Sequence, residues 1–410
     1  MRILFLSTEY PPQTGGGGIA SYVSNIGAAL ARRGHEVHVL SCKHGQPAAD
    51  WRDGEVHVHR RGALRLTWLD RVLRSGKARV RIEVSASCFL EYRRLGLDFD
   101  IVESPDWMAE GFVFALLRSK PHVGHLHTPL LVLAQHNLLP TTWDRRVGDA
   151  IERTAMRHAD VVTSPSWMLA RDLVTEGWLR ETARVVRLPV DLHQWSGLPQ
   201  PEASGPRVLS VGRLEPRKAP EVLVEAAAIL SPAIEGLEVV FVGGSNYTRE
   251  GKPYRDWTAE LARKLRSPCQ FIGAEKRSSI PRWYGTARVA VLTARYDNFP
   301  VAGLEAMAAA RPLVCTSTTG VAELILEGDG GTVVPPLEPG ALAEALRPYL
   351  VDPGHAGRTG RRAREVIARN CAPDAIARER EACYVDAIDD WRRTRRKRFK
   401  RSTRVTPPIR

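Results

Sequence analysis

Apolar and polar positions along the chain fall into two successive runs of one alternation. The first run opens with the buried-strand pattern ILFLS at 3–7, followed by the turn TGGGG and a helical period through Ile19, Val23, Ile26 and Leu30. Gly34 marks the helix stop and VHVLS, 37–41, the next strand, which completes one βαβ unit. Further strand patterns fall at 56–59, 100–103, 122–126, 161–163 and 185–188. The stretch SGLPQPEASGP, 196–206, is rich in Pro, Gly and Ser and reads as a linker. The grammar then restarts with strand RVLSV, loop GRLEPRKAP, a helix over 221–230 and strand EVVFV closed by Gly243 and Gly244. Strand patterns at 269–272, 289–292, 312–315 and 332–334 follow, with helices between them. The expectation is an α/β protein of two doubly wound domains, 1–195 and 204–373, whose crevices face each other across a cleft.

Near the end of the second run, YDNFPVAGLEAM at 296–307 holds two carboxylates, Asp297 and Glu305, with Pro300 between them. Proline lacks an N–H and is best tolerated in a first helical turn. The spacing therefore predicts a loop through Asn298 and Phe299 and a helix opening near Pro300. Asp297 would face that helix N-terminus and Glu305 would lie about two turns inside. A helix N-terminus is a common phosphate site.

At 410 residues the chain is too long for one core and suits two domains. MRILFLSTEY has one basic residue and a short apolar run, so no secretory signal is expected, and no apolar stretch approaches the ~18 residues of a membrane span. The six cysteines are scattered without a CxxC pair, which predicts a reduced, cytoplasmic protein. The net charge is +13, but residues 392–410 hold ten Arg and Lys and no acid, leaving +3 for the rest. A second basic block at 60–81 has eight basic residues and one acid, with Leu64, Trp68, Leu69, Val72 and Leu73 at roughly helical spacing. The expectations from these two features are a basic tail at 392–410 and peripheral association with the inner face of an anionic membrane.

Several motifs suggest chemistry. Gly15, Gly17 and Ala20 fit a dinucleotide fingerprint, but the second strand ends in Ser41, Cys42 and Lys43 without the acid that would hold the ribose. What survives is close approach of a ligand to the backbone of Gly17 and Gly18. Arg213 and Lys218 lie in the loop after a strand, where two fixed cations would suit a diphosphate. In HVGHLHTPL, 122–130, His125 and His127 are expected on one face of a strand; no neighbouring acid or cysteine completes a metal site, so a single functional histidine, His127, is expected instead. DFD at 98–100 is a literal D-x-D that reads as strand entry.

Taken together, the chain closely resembles the retaining glycosyltransferases of family four, which have the GT-B fold. The resemblance covers nearly the whole length and rests on EYPPQTGGGGIASYVSNIGAALARRGHEVHVLS, on VGRLEPRKAPEVLVEAA and on YDNFPVAGLEAMAAARPLVCTSTTGVAELILEGDGGTVVPP, in that order. It implies two Rossmann-like domains, the first binding an acceptor and the second a nucleotide-sugar donor, with a last helix at about 375–391 crossing back to the first domain. It implies that Glu305 receives the ribose hydroxyls, that Arg213 and Lys218 bind the diphosphate, and that Asp297 and His127 contact the donor sugar. Gly17, Gly18, Phe299 and Val301 would line the donor, and the backbone of Ile272 and Gly273 would hold the base. No metal and no cofactor is implied; the donor would be a nucleoside-diphosphate sugar, a UDP-sugar first, and the acceptor a sugar, a lipid-linked or a small molecule. Four features depart from the family pattern: Asp297 replaces glutamate, Pro300 replaces a frequent glycine, Ala219 replaces the glycine after the lysine, and RLPVDLHQW, 187–195, lacks the Asn-Gly usual before the Val-Asp. Two alternatives are a catalytically inactive binding protein of the same fold and a nucleic-acid-binding protein using the tail. Nucleic acid is not an expected specific partner, because the body has neither a basic face nor an RNA motif.

Overall fold

The computed structural model describes residues 1–11, 17–71 and 76–402, of which 70–71 and 396–402 are described as backbone only. The first domain is built on an eight-stranded sheet: β1 (Arg2–Leu6), β2 (Glu36–Lys43), β3 (Ala49–Asp53), β4 (Val56–Gly62), β5 (Ile101–Pro105), β6 (His122–His125), β7 (Val161–Ser164) and β8 (Arg184–Val185). Their spatial order is β3-β4-β2-β1-β5-β6-β7-β8. All neighbours are parallel except β3, which runs antiparallel to β4 on the edge. The second sheet comprises β9 (Arg207–Val211), β10 (Glu238–Val242), β13 (Cys269–Gly273), β14 (Val289–Leu292), β15 (Leu313–Thr316) and β16 (Gly331–Val334), in the order β13-β10-β9-β14-β15-β16. Between β10 and β13 lies a two-residue-per-strand hairpin, β11 (Thr248–Arg249) and β12 (Lys252–Pro253).

Six helices matter for the site: α1 (Gly18–Arg32), α2 (Trp167–Thr175), α3 (Pro220–Leu230), α4 (Val301–Ala308), α5 (Ala322–Gly328) and α6 (Pro373–Ser402). Central strands such as β1 and β10 are buried along their length because helices cover both faces, which is why they read as continuous apolar runs. Each sheet reverses its order beside its first strand, β1 or β9, so both crevices open at the C-terminal ends of the strands. At the second crevice, Gly243 has φ +156° and its Cα lies so close to the Gly212 carbonyl that a Cβ would collide with it. Only glycine permits that approach of two strand ends.

The last helix leaves the second domain and packs on the first. Its Glu381 takes two hydrogen bonds from the Arg33 guanidinium at 2.6 and 2.9 Å, and the Trp391 indole donates to the Arg118 carbonyl at 2.9 Å. The domains also touch across the cleft. The Glu323 carboxylate at the start of α5 accepts the Trp167 and Met168 amides at 3.1 and 2.8 Å, capping α2 from the opposite domain. One hydrophobic cluster also spans both domains, joining Tyr22, Val190 and Trp195 to Tyr284 and Leu304.

The structure corrects four local expectations. Residues 60–81 do not form one helix: β4 runs to Gly62, a 3-10 turn covers Thr67–Arg71, and a new helix starts at Lys77 behind Gly76, whose φ is +86°. Val72 and Leu73 lie outside the described residues. The eighth strand is Arg184–Val185 instead of 185–188, and the antiparallel edge strand β3 was not expected. β6 ends at His125, so His127 stands in the loop beyond it and does not share a strand face with His125. The tail at 392–410 continues α6 as far as Ser402, and 403–410 lie outside the described residues.

Candidate functional site

Two helix N-termini meet at the cleft. α1 starts at Gly18 after an extended Gly17, and α4 starts at Val301 after Pro300. A Cβ on Gly18 would lie 3.7 Å from Val301 Cγ2, so the two first turns face each other across the domain boundary. A Cβ on Gly17 would collide with the Glu9 carboxylate. The first amides of a helix have no intrahelical acceptor and carry the positive end of its dipole. Neither first turn contains an acid or a side-chain cap, so nothing on the helices themselves neutralises these ends. Gly15 and the rest of residues 12–16 lie outside the described residues.

Beside α4 lies a buried charge cluster. Asp297 pairs through Oδ1 with Arg217 Nη1 at 2.9 Å and through Oδ2 with Lys218 Nζ. Arg217 also donates to Glu215 Oε1 at 2.7 Å and to the Tyr296 carbonyl at 3.0 Å. Burial opposes ionisation of Asp297, but Arg217 and Lys218 outweigh it and hold the carboxyl at about 2. Asp297 caps no helix; its backbone instead bridges to the 318–320 turn, donating to the Thr318 carbonyl at 3.0 Å and accepting from Gly320 at 2.9 Å. Lys218 therefore reaches the cleft already paired. Arg213 differs: its side chain is 54% exposed and its nearest acid, Glu215, is 3.7 Å away.

Glu305 occupies a narrow crevice of about 10 Å³ lined by Tyr22, Asn25, Leu188, Val301 and Arg277. Burial raises its carboxyl to about 7, against the pull of Arg277, whose Nη2 lies 3.0 Å from Oε1. Ile272 and Gly273 end β13, and the Gly273 carbonyl accepts the Gly243 amide at 2.7 Å. Phe299 is buried in the core, so only its backbone is left for a ligand.

His127 is held by its backbone. Its amide donates to Asp106 Oδ1 at 2.7 Å, and its carbonyl accepts from Asn298 Nδ2 at 2.5 Å. Asn298 Oδ1 in turn accepts from Ser166 Oγ at 2.7 Å, so one amide side chain of the second domain grips two residues of the first. Burial, with the charge of Arg380, pushes the His127 imidazole down to about 3 and keeps it neutral.

The structure thus gathers His127, Lys218, Asp297, Val301, Glu305, Gly17 and Gly18 around one cleft, with Arg213 at its exposed margin and Phe299 withdrawn into the core. Arg217, Arg277 and Asn298 belong to the site and were not anticipated. Arg217 adjoins Lys218, and nothing in a single sequence separates a buried cation from an exposed one beside it. Among the described residues, no group of three His, Cys, Asp or Glu is arranged to hold a metal ion. In DFD, Asp98 pairs with Lys120 and Asp100 accepts the Arg2 amide at 2.7 Å, both at strand entry.

Comparison with known proteins finds family models along most of the chain. Residues 16–194 match the model described as Glycosyltransferase Family 4, and residues 199–366 match that of Glycosyl transferases group 1. The chain is 29% identical over 413 residues to a glycogen synthase of Mycobacterium tuberculosis, covering 94% of this chain and 95% of the relative. It is 30% identical to an alpha-D-kanosaminyltransferase of Streptomyces kanamyceticus, over 64% of this chain and 67% of that one. A sucrose-phosphate synthase from Thermosynechococcus elongatus superposes with a TM-score of 0.75 at 22% identity, covering 93% of this chain and 98% of its own, and shares the GT-B fold.

Proposed function

Because the chain belongs to glycosyltransferase family 4 and is a glycosyltransferase using a nucleotide sugar, we propose that it transfers a hexosyl group with retention of anomeric configuration and without a metal. The donor is a nucleoside-diphosphate sugar, a UDP-sugar first. The acceptor is a hydroxyl of a sugar, a lipid-linked molecule or a small molecule bound by the first domain. The observation that carries the reading is the pair of uncapped helix N-termini that face each other at Gly18 and Val301, beside Lys218 and Arg213.

In this reading the diphosphate lies between the two helix ends and draws Lys218 away from Asp297, while Arg213 closes over it from the margin. The bond from the anomeric carbon to the phosphate oxygen breaks, and its electron pair leaves with the phosphate. Each donor aimed at that developing charge is worth roughly 2.7–4 kcal/mol of barrier. The acceptor hydroxyl attacks the same face and passes its proton to the departing phosphate. Glu305 receives the ribose hydroxyls, since an ionised carboxylate offers two acceptor oxygens, and Arg277 gives way as they arrive. His127 and Asp297 face the sugar, and the backbone of Ile272 and Gly273 faces the base. The basic 392–410 segment adds peripheral attachment to anionic membrane.

A thermal-shift screen of uridine, guanosine, adenosine and thymidine diphosphates tests the nucleotide half. One of them, at a hundred times its dissociation constant, is expected to stabilise the protein by about 2.7 kcal/mol. Lys218→Ala should reduce that effect, and a screen in which none of the four shifts the transition would contradict the reading.

A further inference from the structure

The last helix carries an arginine into the middle of the first domain. Arg380 is fully buried. Its Nη1 donates to Thr163 Oγ1 at 2.7 Å and its Nη2 to His125 Nδ1 at 2.9 Å. Its guanidinium lies 3.7 Å from Glu103 Oε2, and its Cζ sits 5.3 Å from the centre of the Tyr22 ring. Glu103 is held from two further sides, by the Tyr384 hydroxyl at 2.7 Å and by the Tyr22 hydroxyl. The cluster therefore joins β5, β6, β7, α1 and α6 at one point, beneath the cleft.

Two members of this cluster are the ring neighbours of His127. The His125 ring centre is 4.9 Å away at 83°, and the Tyr22 ring centre 5.7 Å away at 66°, both edge to face. A guanidinium has no acceptor, so the His125 nitrogen facing Arg380 must itself accept, which puts the His125 proton on Nε2. Docking α6 alone does not require a charge here, because a buried cation is costly and an apolar side chain of similar volume fills the space more cheaply. The charge has another use.

We propose that Arg380 is a positioning residue for sugar transfer: through Glu103, Tyr22 and His125 it fixes the cradle that orients the His127 ring. The inference rests on the reading of His127 as the residue facing the donor sugar. A neutral imidazole both donates and accepts a hydrogen bond toward a sugar hydroxyl, whereas an imidazolium only donates. The groups facing His127 are Tyr22 from α1, His125 from β6, Arg380 from α6, Asp106 after β5 on its amide, and Asn298 of the second domain on its carbonyl. Burial lifts Asp106 to about 8, so at neutral pH it is largely protonated and does not offset the arginine. Burial and Arg380 together depress both His125 and His127.

The direct test needs no ligand. Histidine-labelled full-length protein is followed by nitrogen-15 and carbon-13 NMR, with the His127 signals identified by their loss in His127→Gln. The wild type is expected to show the single Nε2–H form at His125 and a neutral His127 at pH 6. In Arg380→Met, His125 should become a mixture of tautomers, the His127 ring signals should shift as its two ring neighbours reorient, and the His127 midpoint should rise. Unchanged spectra would overturn the proposal. With UDP-glucose as the probe donor, Arg380→Met should lower kcat at least tenfold while the Kd for UDP stays within twofold. Parallel loss of UDP affinity and kcat would instead mark a loosened helix and defeat the positioning role. Should Arg380→Met fail to fold, Arg380→Lys keeps the charge and one of the two hydrogen bonds. Its ammonium, like the guanidinium, only donates, so it should retain the Nε2–H form of His125 but hold the cradle less rigidly, with shifted His127 ring signals and kcat lowered at least tenfold, and wild-type kcat in it would overturn the proposal. His127→Gln turning over like wild type would defeat the reading of His127 itself; loss there, with both Arg380 variants at full turnover, would defeat the Arg380 role alone.

Discussion

Glu305→Gln is expected to stabilise the free protein while weakening nucleotide binding. The side chain is nearly the same size, so packing around Leu304 and Val301 is kept. What changes is the charge. Burial holds the Glu305 carboxyl at about 7 against an ordinary 4.5. Such a group binds its proton more tightly in the folded than in the unfolded chain. Its contribution to stability is therefore complete below pH 4.5 and is lost as the pH climbs through 7. At 1.36 kcal/mol per pH unit, the interval from 4.5 to 7 corresponds to about 3 kcal/mol withdrawn from the wild type at pH 8. Glutamine carries no such penalty, and Arg277, with 41% of its side chain exposed, finds water once its partner is neutral. Denaturant unfolding should give Glu305→Gln an advantage at pH 8 that disappears by pH 4.5. Calorimetry at pH 8 should show at least tenfold weaker UDP binding, and UDP affinity of the wild type should rise between pH 6 and 8 as the carboxylate ionises. A variant no more stable at pH 8 than at pH 4.5, relative to wild type, would refute the desolvation argument. Unchanged UDP affinity would remove Glu305 from the nucleotide site.

Asp297→Asn removes the counter-ion of Lys218 and one of the two carboxylates on Arg217, which keeps Glu215, and breaking such a buried pair costs about 3–5 kcal/mol, read as a lower unfolding midpoint at pH 7. Because the Asp297 carboxyl is depressed to about 2, its contribution is present above its ordinary 3.8 and is lost as the pH falls through 2, so the two proteins should converge in acid. Transfer should fall tenfold to a thousandfold while UDP affinity holds or improves, since Lys218 no longer has a protein partner to leave; wild-type transfer by the folded variant would free Asp297 of any role at the sugar. Co-sedimentation with anionic vesicles at low salt should be stronger for the full chain than for one ending at Trp391, and equal pelleting would leave the basic segment without a membrane role.

Much of the fold was readable because parallel strands covered on both faces leave unbroken apolar runs, as in ILFLS and EVVFV, and because the turns between them spend glycine. The helix start at Val301 followed from Pro300, as did the place of Glu305 within that helix. Edge features were less legible. β3 is half exposed and antiparallel, so ADWRD carries no apolar run, and Gly62 and Gly76 break a stretch whose spacing looked helical. The site's other members are tertiary facts. Arg277 meets Glu305, Asn298 reaches Ser166 and His127, and Arg380 reaches His125 across 255 positions only once the chain has folded back on itself. Asp297 was placed correctly in a loop before the helix, yet its partners include Arg217, a cation that composition alone cannot distinguish from a solvated one.

In the proposed reaction this cleft breaks the anomeric bond of a nucleotide sugar and rebuilds it on the same face. The most direct measurement is a carbon-13 NMR time course with UDP-glucose labelled at the anomeric carbon, repeated with the nucleotide sugar matching whichever diphosphate gives the largest thermal shift. The donor signal is expected to decay and an alpha-configured product signal to appear from an alpha-linked donor, at a rate that falls sharply in Lys218→Ala. A product of inverted configuration, or donors that persist unchanged with every acceptor offered, would contradict the proposed reaction.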